Sequence, residues 1–160
     1  MTRFRIGQGS DVHRLTAGRA LVIGGVEIES DLGADGHSDA DVLLHAITDA
    51  VLGSLALGDI GQHFPNSDER WRGASSSQFL THAVDLVREQ GFDIVNIDAT
   101  VHLEQPKLRP HIDLIREQIA ATVGIDIGAV SVKAKTGEGV DAVGERRALR
   151  ADASVLVACD

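Results

Sequence analysis

The chain has 160 residues, 43% of them hydrophobic, and a formal net charge of −9, so its length fits one domain with its own core rather than two. The negative charge argues against sequence-independent binding to nucleic acid, which needs clustered Lys and Arg. No apolar run approaches the ~20 residues of a membrane-spanning helix, and the N-terminus lacks the features of a signal peptide, so we expect a cytoplasmic protein without membrane partners.

Alternating or apolar runs predict five strands, and three helical patterns lie between them. The strands are predicted at residues 3–9, 20–25, 93–104, 129–135 and 152–159. The helices are predicted from Ser38 to Gly58, over 75–90 with Gly91 as its C-cap, and over 109–123 with Gly124 as its C-cap. The order of these elements predicts a single α+β domain, residues 1–160, with helices packed on one face of a mixed β-sheet.

The strand predicted at 93–104 has one clearly apolar side. Strict alternation puts Ile94, Asn96, Asp98, Thr100 and His102 on the polar side, and Val95, Ile97, Ala99, Val101 and Leu103 on the core side. The polar side faces either solvent or a neighbouring subunit, so it is a weak indication of an oligomer.

Two short stretches predict a metal site. Asp11 and His13 are two residues apart and point the same way if the first strand extends that far. Asp41, His45 and Asp49 fall at i, i+4 and i+8 of the first helix and form a polar stripe.

A catalytic zinc ion takes three nitrogen or oxygen ligands and leaves its fourth position open. Asp11, His13 and His45 would supply that set, and Asp49 would accept the other imidazole N–H of His45. The alternative is that His45 is a buried core histidine and Asp11 a turn residue.

Two further stretches offer groups that bind anions or hard cations. His37 and Ser38 are predicted at the N-terminus of the first helix, where free N–H groups favour a phosphate, although Ser38 would cap the helix in either case. "LGDIGQHFPNSD" reads as a long binding loop. "VKAKTGEG" offers the Thr136 hydroxyl, backbone donors and a Glu138 oxygen for Mg²⁺, but it lacks the spacing of a P-loop.

Three segments resemble the signature segments of the 2-C-methyl-D-erythritol 2,4-cyclodiphosphate synthase family of the non-mevalonate isoprenoid pathway. They are "GQGSDVHRL", "GHSDADVLLHAITDAVLGSLALGDIGQHFPNSD" and "QPKLRPHI", and the resemblance covers about residues 4 to 138. It implies a homotrimer with active sites between subunits. It also implies one Zn²⁺ per active site on Asp11, His13 and His45, and a second ion, Mg²⁺ or Mn²⁺, on Glu138.

The resemblance also implies the reaction. The 2-phosphate of 4-diphosphocytidyl-2-C-methyl-D-erythritol 2-phosphate would attack the β-phosphorus, and CMP would leave as the cyclic diphosphate forms. Two metal ions suit phosphoryl transfer, which asks mainly for positioning and charge neutralisation.

The same resemblance assigns further roles. His37 and Thr136 would stabilise the transition state. The methylerythritol phosphate would be held by Ser38, Asp59, Ile60, Gly61, Phe64, Pro65, Asn66, Ser67 and Asp68. The cytidine would be enclosed by Leu103, Glu104, Gln105, Pro106, Lys107, Leu108, Arg109 and Lys135.

Two other functions remain open on the residues alone. One is a metal-dependent phosphohydrolase on the same three ligands, with water as the nucleophile and Asp49 or Asp59 as general base. The other is a non-catalytic metal-binding trimer. The reaction products separate the first from a cyclase, and turnover separates the second.

Overall fold

Seven strands and five α-helices make up the computed structural model, which describes residues 1–160. The strands are β1 (Arg3–Thr16), β2 (Leu21–Ile23), β3 (Val26–Ile28), β4 (Gly33–Ala34), β5 (Asp93–His102), β6 (Val130–Lys135) and β7 (Ala148–Cys159). The helices are α1 (Val42–Ser54), α2 (Ile60–His63), α3 (Ser77–Glu89), α4 (Ile112–Val123) and α5 (Asp141–Gly144). Single 3₁₀ turns lie at Glu69–Trp71, Arg109–His111 and Ile127–Ala129.

Five of the strands form one mixed sheet in the order β4-β1-β7-β5-β6. Strands β5 and β6 are parallel, and the other neighbours are antiparallel. Helix α1 packs across β1 and β7 with α3 beside it, and α4 packs against β6. The predicted α+β fold with a mixed sheet is therefore confirmed. None of the helices is long and apolar enough to cross a bilayer.

The second predicted strand was wrong in its extent. Residues 20–25 do not join the main sheet, because Gly24 and Gly25 turn the chain and β2 pairs with β3 as a separate hairpin. Both glycines have positive φ, 61° and 79°, which a tight hairpin turn requires. The first predicted strand is longer than expected, and its extension to Thr16 places Asp11 and His13 within β1.

The first predicted helix begins later than expected. Asp41, not Ser38, is its N-cap, and the Asp41 carboxylate accepts hydrogen bonds from the backbone N–H groups of Leu43 and Leu44. It also accepts from Gly24 and Gly25 of the hairpin turn, at 2.9 and 2.7 Å. Asp41 is fully buried and belongs to no polar stripe, and this burial raises its pKa to about 6. The helix ends at Ser54, before the predicted Gly58. The predicted helices over 75–90 and 109–123 correspond to α3 and α4.

A bulge in β5 changes the predicted assignment of its faces. Pairing with β7 shifts between Ile94 and Asn96, so one extra residue is accommodated there. Ile94 is consequently buried with Ile97, whereas Val95 is exposed. Strict alternation had assigned Ile94 and Val95 to the opposite faces. From Asn96 onward the predicted polar and core sides are correct.

The sheet has one face covered by helices and one open face. Along β1, Gly7, Gly9 and Leu15 lie on the covered face and are buried. The side chains of Phe4 and Ile6 on the open face are 58% and 78% exposed. The strand thus carries polar site residues on its covered face and unpartnered apolar residues on its open one.

Candidate metal centre and active site

Strand β1 and helix α1 bring Asp11, His13 and His45 together on the covered face of the sheet. Asp11 Oδ2 lies 2.9 Å from His13 Nε2 and 2.9 Å from His45 Nδ1, and the two imidazole nitrogens are 3.2 Å apart. These three residues form the one group of three or more potential metal-ligating side chains within mutual reach. All three are largely buried, with 12 to 26% of each side chain exposed.

The glycines that precede Asp11 explain how α1 comes so close to β1. A Cβ on Gly7 would lie 1.8 Å from the carbonyl oxygen of Ala50, and a Cβ on Gly9 would lie 2.1 Å from that of Ala46. Only glycine fits at both positions, since the backbone of α1 rests directly on the strand. This close approach carries His45 to the Asp11 carboxylate.

The hydrogen-bond acceptors around the two imidazoles leave the other ring nitrogens with lone pairs pointing into the cluster. His13 Nδ1 lies 2.8 Å from the carbonyl oxygen of Asp35, which can only accept, so His13 carries its proton on Nδ1. His45 Nε2 lies 2.8 Å from Ser76 Oγ, whose own hydrogen is directed to the Asp39 carboxylate. His45 therefore donates from Nε2.

Two imidazole lone pairs and a carboxylate oxygen thus face one another at 2.9 to 3.2 Å. Such an arrangement is stabilised by a cation between the groups, either protons or a metal ion. The donor set, two imidazole nitrogens and one carboxylate oxygen, is of the kind that a divalent metal of the zinc type takes. The residues present fit a divalent metal ion.

The charges within the cluster reinforce one another. Burial alone raises the pKa of Asp11, but its hydrogen-bonding and charge interactions with His13 and His45 outweigh the burial and lower that pKa to about 2. Burial alone lowers the pKa of His13, but its hydrogen bond and attraction to Asp11 outweigh the burial and raise it. The carboxylate is therefore ionised at neutral pH and available as an anionic ligand.

The partner predicted for His45 was wrong. Asp49 does not accept the His45 N–H, because its Oδ1 accepts the backbone N–H of Ile60 at 2.7 Å and so holds the start of α2. Burial and the nearby charge of Asp59 raise the pKa of Asp49, against the effect of the Ile60 hydrogen bond. The place beside His45 belongs to Ser76, which precedes α3. Sequence reasoning missed Ser76 because "GASSSQ" reads only as a helix start.

A cavity of about 330 Å³ opens beside the cluster. It contains six residues assigned to substrate or catalysis from the sequence: His37, Ser38, Ile60, Gly61, Phe64 and Asn66. Trp71 and Phe79, which sequence analysis did not select, complete an aromatic wall with Phe64. His37 donates from Nε2 to the carbonyl oxygen of Asp68 at 3.0 Å. His37 and Ser38 precede α1 by several residues and do not form its N-terminus, where Asp41 already takes the free N–H groups.

Four residues of the predicted binding loop do not line this cavity, namely Asp59, Pro65, Ser67 and Asp68. Asp59 instead caps α2 by accepting the N–H of Gln62 at 2.9 Å. Asp68 caps the 3₁₀ turn at 69–71, and its hydrogen bonds with Arg70 lower its pKa. These acidic side chains shape the loop and are not directed at the metal cluster.

The residues predicted to enclose a cytidine lie around a separate cavity of about 600 Å³. Its walls include Leu103, Lys107, Leu108, Arg109, Lys135 and Thr136 from the predicted set. Glu104 lies outside this cavity and instead accepts the N–H of Gly137 at 2.8 Å, which joins the two segments. Gln105 and Pro106 are also outside it. Within one chain the two cavities share no residue, so His37 and Thr136 are not brought together.

Glu138 stands apart from the triad on an exposed turn after β6. Its Oε1 accepts a hydrogen bond from Thr136 Oγ1 at 2.8 Å, and its backbone has a positive φ of 52°. Its carboxylate is the only one that this turn presents beside Thr136, and hard cations such as Mg²⁺ are held by one or two carboxylates together with phosphate oxygens. The turn is compatible with such an ion, and Glu138 does not belong to the cluster of Asp11, His13 and His45.

Comparisons with known proteins agree with this geometry. The sequence model described as the YgbB family matches residues 4–158. A 2-C-methyl-D-erythritol 2,4-cyclodiphosphate synthase of Solibacter usitatus is 53% identical over 157 residues, which are 98% of this chain and 99% of the relative.

Solved structures show the same fold. The bifunctional IspDF of Campylobacter jejuni superposes with a TM-score of 0.96 at 37% identity, over 100% of this chain and 43% of that longer one. A 2C-methyl-D-erythritol-2,4-cyclodiphosphate synthase in its CDP-bound form gives a TM-score of 0.89 at 38% identity, over 96% of this chain and 99% of that one. The chain belongs to the YgbB family, with the 2-C-methyl-D-erythritol 2,4-cyclodiphosphate synthases as its relatives.

Proposed function

We propose that the chain is a cyclodiphosphate synthase of isoprenoid precursor biosynthesis. It converts 4-diphosphocytidyl-2-C-methyl-D-erythritol 2-phosphate to 2-C-methyl-D-erythritol 2,4-cyclodiphosphate and releases CMP. The observation that carries the proposal is the cluster of Asp11, His13 and His45, whose lone pairs converge beside a cavity of about 330 Å³. Its family membership supplies the substrate.

Asp11, His13 and His45 would hold Zn²⁺, which would supply Lewis-acid activation of a phosphate oxygen. Glu138 would hold Mg²⁺ or Mn²⁺, which would supply charge neutralisation to the diphosphate. Both ions would supply positive charge to the substrate phosphates, which a chain of net charge −9 lacks.

The remaining cavity residues orient the substrate and exclude water. The hydrogen bond from His37 Nε2 to the Asp68 carbonyl holds its ring against the cavity, where His37 stabilises negative charge on the reacting phosphate. Ser38 and Asn66 bind phosphate and hydroxyl groups at the same cavity. The wall of Phe64, Trp71 and Phe79 packs against carbon atoms of the substrate and keeps water away from the phosphorus.

The active site is proposed to form between subunits of a homotrimer. The metal cavity and the cavity of Thr136 and Lys135 are separate within one chain, which supports a site completed by a neighbouring subunit. The open sheet face also exposes Phe4, Ile6 and Val12, which a neighbouring subunit would cover. The cytidine lies in the second cavity, in line with the CDP that a relative binds. We propose that the trimer acts in the cytoplasm.

The geometry favours the cyclase over a phosphohydrolase. A hydrolase needs a carboxylate free to take a proton from water near the open metal position. The two residues that sequence analysis considered for this role are both engaged, Asp49 with Ile60 and Asp59 with Gln62. Because both carboxylates hold the backbone of the substrate loop, the geometry favours the 2-phosphate of the substrate itself as the nucleophile.

Turnover of the diphosphocytidyl substrate with Zn²⁺ and Mg²⁺ tests the proposal, with products identified by ³¹P NMR. We expect the cyclic diphosphate and CMP in equal amounts from the purified protein. The His45→Ala variant should form neither product and bind no stoichiometric zinc. Free phosphate would establish the hydrolase instead, and no turnover at all would favour a non-catalytic metal-binding protein.

Subunit mixing tests the shared active site. The variants His13→Ala and Thr136→Ala each damage one of the two cavities, so each alone should be inactive. If neighbours complete each site, mixed trimers contain some intact sites, and activity should return when subunits exchange. A fully active monomer in sedimentation would contradict the proposal.

A further inference from the structure

Hydrogen bonds connect Asp39, Ser76 and His45 on the side of His45 that faces away from the metal cluster. Ser76 Oγ lies 2.8 Å from His45 Nε2 and is hydrogen-bonded to Asp39 Oδ1, while the Ser76 N–H donates to Asp39 Oδ2 at 2.9 Å. Ser76 is completely buried. None of these contacts involves the atom of His45 that faces the metal cluster.

Ser76 occupies the N-cap position of α3 but does not cap the helix. Serine is favoured there because its oxygen normally accepts a hydrogen bond from the first turn, yet the Ser76 hydroxyl makes no such bond. The hydroxyl instead donates a hydrogen bond to Asp39 and accepts one from His45. Asp39 is itself held firmly, since its N–H donates to Ala74 and its Oδ1 also accepts from the N–H of Asp41.

The direction of each hydrogen bond follows from the carboxylate. Asp39 can only accept, so the single hydrogen of the Ser76 hydroxyl is directed to it. Ser76 Oγ therefore has only lone pairs to offer His45, and His45 must place its hydrogen on Nε2.

We infer that Ser76, held by Asp39, is a positioning residue that selects the Nε2–H tautomer of His45 and keeps Nδ1 free to bind the metal ion. The inference rests on the proposed metal-dependent function. The competing tautomer puts the hydrogen on Nδ1, where Asp11 Oδ2 at 2.9 Å would accept it. A hydrogen at that place occupies the position that a metal ion needs.

The surroundings predict what happens when Ser76 is lost. Ser38 Oγ lies 3.3 Å from the same nitrogen of His45 and already accepts the N–H of Ala40. In the Ser76→Ala variant the Ser38 hydroxyl can turn its hydrogen toward Nε2, which favours the Nδ1–H tautomer. In Asp39→Asn, the amide can donate to Ser76, whose hydrogen is then free to turn to Nε2 with the same result.

Two measurements on the full-length protein test the inference. Zinc affinity is measured by competition with a chelator, and the His45 tautomer by ¹⁵N NMR of the metal-free protein at about pH 9, well above the ordinary histidine pKa of about 6.5. The His45 signals are identified by their absence from His45→Asn. Ser76→Ala and Asp39→Asn should each bind zinc ~10 to 100-fold more weakly and shift His45 to the Nδ1–H tautomer. Ser75→Ala, at the exposed neighbouring serine, should change neither quantity.

Unchanged zinc affinity and tautomer in Asp39→Asn would overturn the inference, and this nearly isosteric variant decides the matter if Ser76→Ala does not fold. Weaker zinc binding without a change of tautomer would also overturn it, since loss of packing alone gives that result. Failure of the proposed function is separate: it would appear as no cyclic diphosphate from the unmodified protein, while the tautomer and zinc responses of the variants remain.

Discussion

Replacing Gly9 by alanine should separate the metal ligands without altering any of them. The added Cβ would lie 2.1 Å from the carbonyl oxygen of Ala46 and 2.9 Å from Asp49 Cβ, both on α1. Ordinary contact begins at 3.4 Å, so the helix has to move away from β1 by about 1 Å. His45 lies on the same helix, one residue before Ala46, and must move with it. Metal–ligand distances are held within about 0.2 Å, which makes a shift of this size disruptive.

Gly9→Ala should therefore lower zinc affinity by at least ~100-fold, beyond the usual effect of losing an outer hydrogen bond. Overpacking should also cost about 1–3 kcal/mol of unfolding free energy. Chelator competition and thermal unfolding of the zinc-free protein measure the two effects separately.

Gly53→Ala is a matched control on α1, because its Cβ would meet nothing closer than the Gln8 oxygen at 3.9 Å. An alanine in this exposed helical position should add about 0.5–1 kcal/mol of stability and leave zinc binding unchanged. Normal zinc affinity in a folded Gly9→Ala protein would refute the view that the glycine contact sets the distance of His45 from Asp11.

Three other predictions address separate parts of the site. Asp49→Ala should raise KM about 10-fold and leave zinc affinity unchanged, because it frees the N–H of Ile60 at the substrate loop; steady-state kinetics and chelator competition would contradict this if zinc were lost instead. The pKa of Asp11 is about 2 in the folded protein, below its ordinary 3.8. The ionised carboxylate therefore stabilises the folded state above pH 3.8, and this contribution is lost as the pH falls toward 2. Urea unfolding of the zinc-free protein should show a decrease of about 2 kcal/mol in unfolding free energy over this pH range. An Asp11→Asn protein whose unfolding free energy falls equally steeply with pH would contradict this prediction. Glu138→Gln should keep zinc and the fold but lose most turnover, with partial recovery at raised Mg²⁺ or Mn²⁺; normal turnover with normal Mg²⁺ dependence would place that ligand elsewhere.

Local periodicity selected candidate metal ligands that the structure brings together. The two-residue repeat of a strand puts Asp11 and His13 on one side of β1. His45 was recognisable as a polar residue on an otherwise apolar helix, and the positions of α3 and α4 followed from their apolar spacing and the glycines after them. Each of these predictions depends on residues a few positions apart, whose relation the backbone geometry fixes.

The same periodicity could not assign roles to the three residues of the predicted polar stripe. Asp41, His45 and Asp49 are equivalent in spacing, yet one binds the backbone of the β2–β3 hairpin, one faces Asp11 and one holds α2. Which neighbour each side chain meets depends on elements that approach from elsewhere in the chain. The bulge beside Val95 is similar, because it results from how β5 pairs with β7.

The sequence by itself determined which side chains can bind a metal ion, because it fixes the residue types, one carboxylate and two imidazoles, and their local spacing. The tertiary structure decided how close they come and which atom of each is free. Only the folded structure shows that α1 packs directly on Gly9. Only the folded structure shows that Ser76, 31 residues from His45 in the chain, contacts its ring. Distances of 2.9 Å and the direction of a single imidazole hydrogen are set by long-range packing and by acceptors that no local pattern reveals.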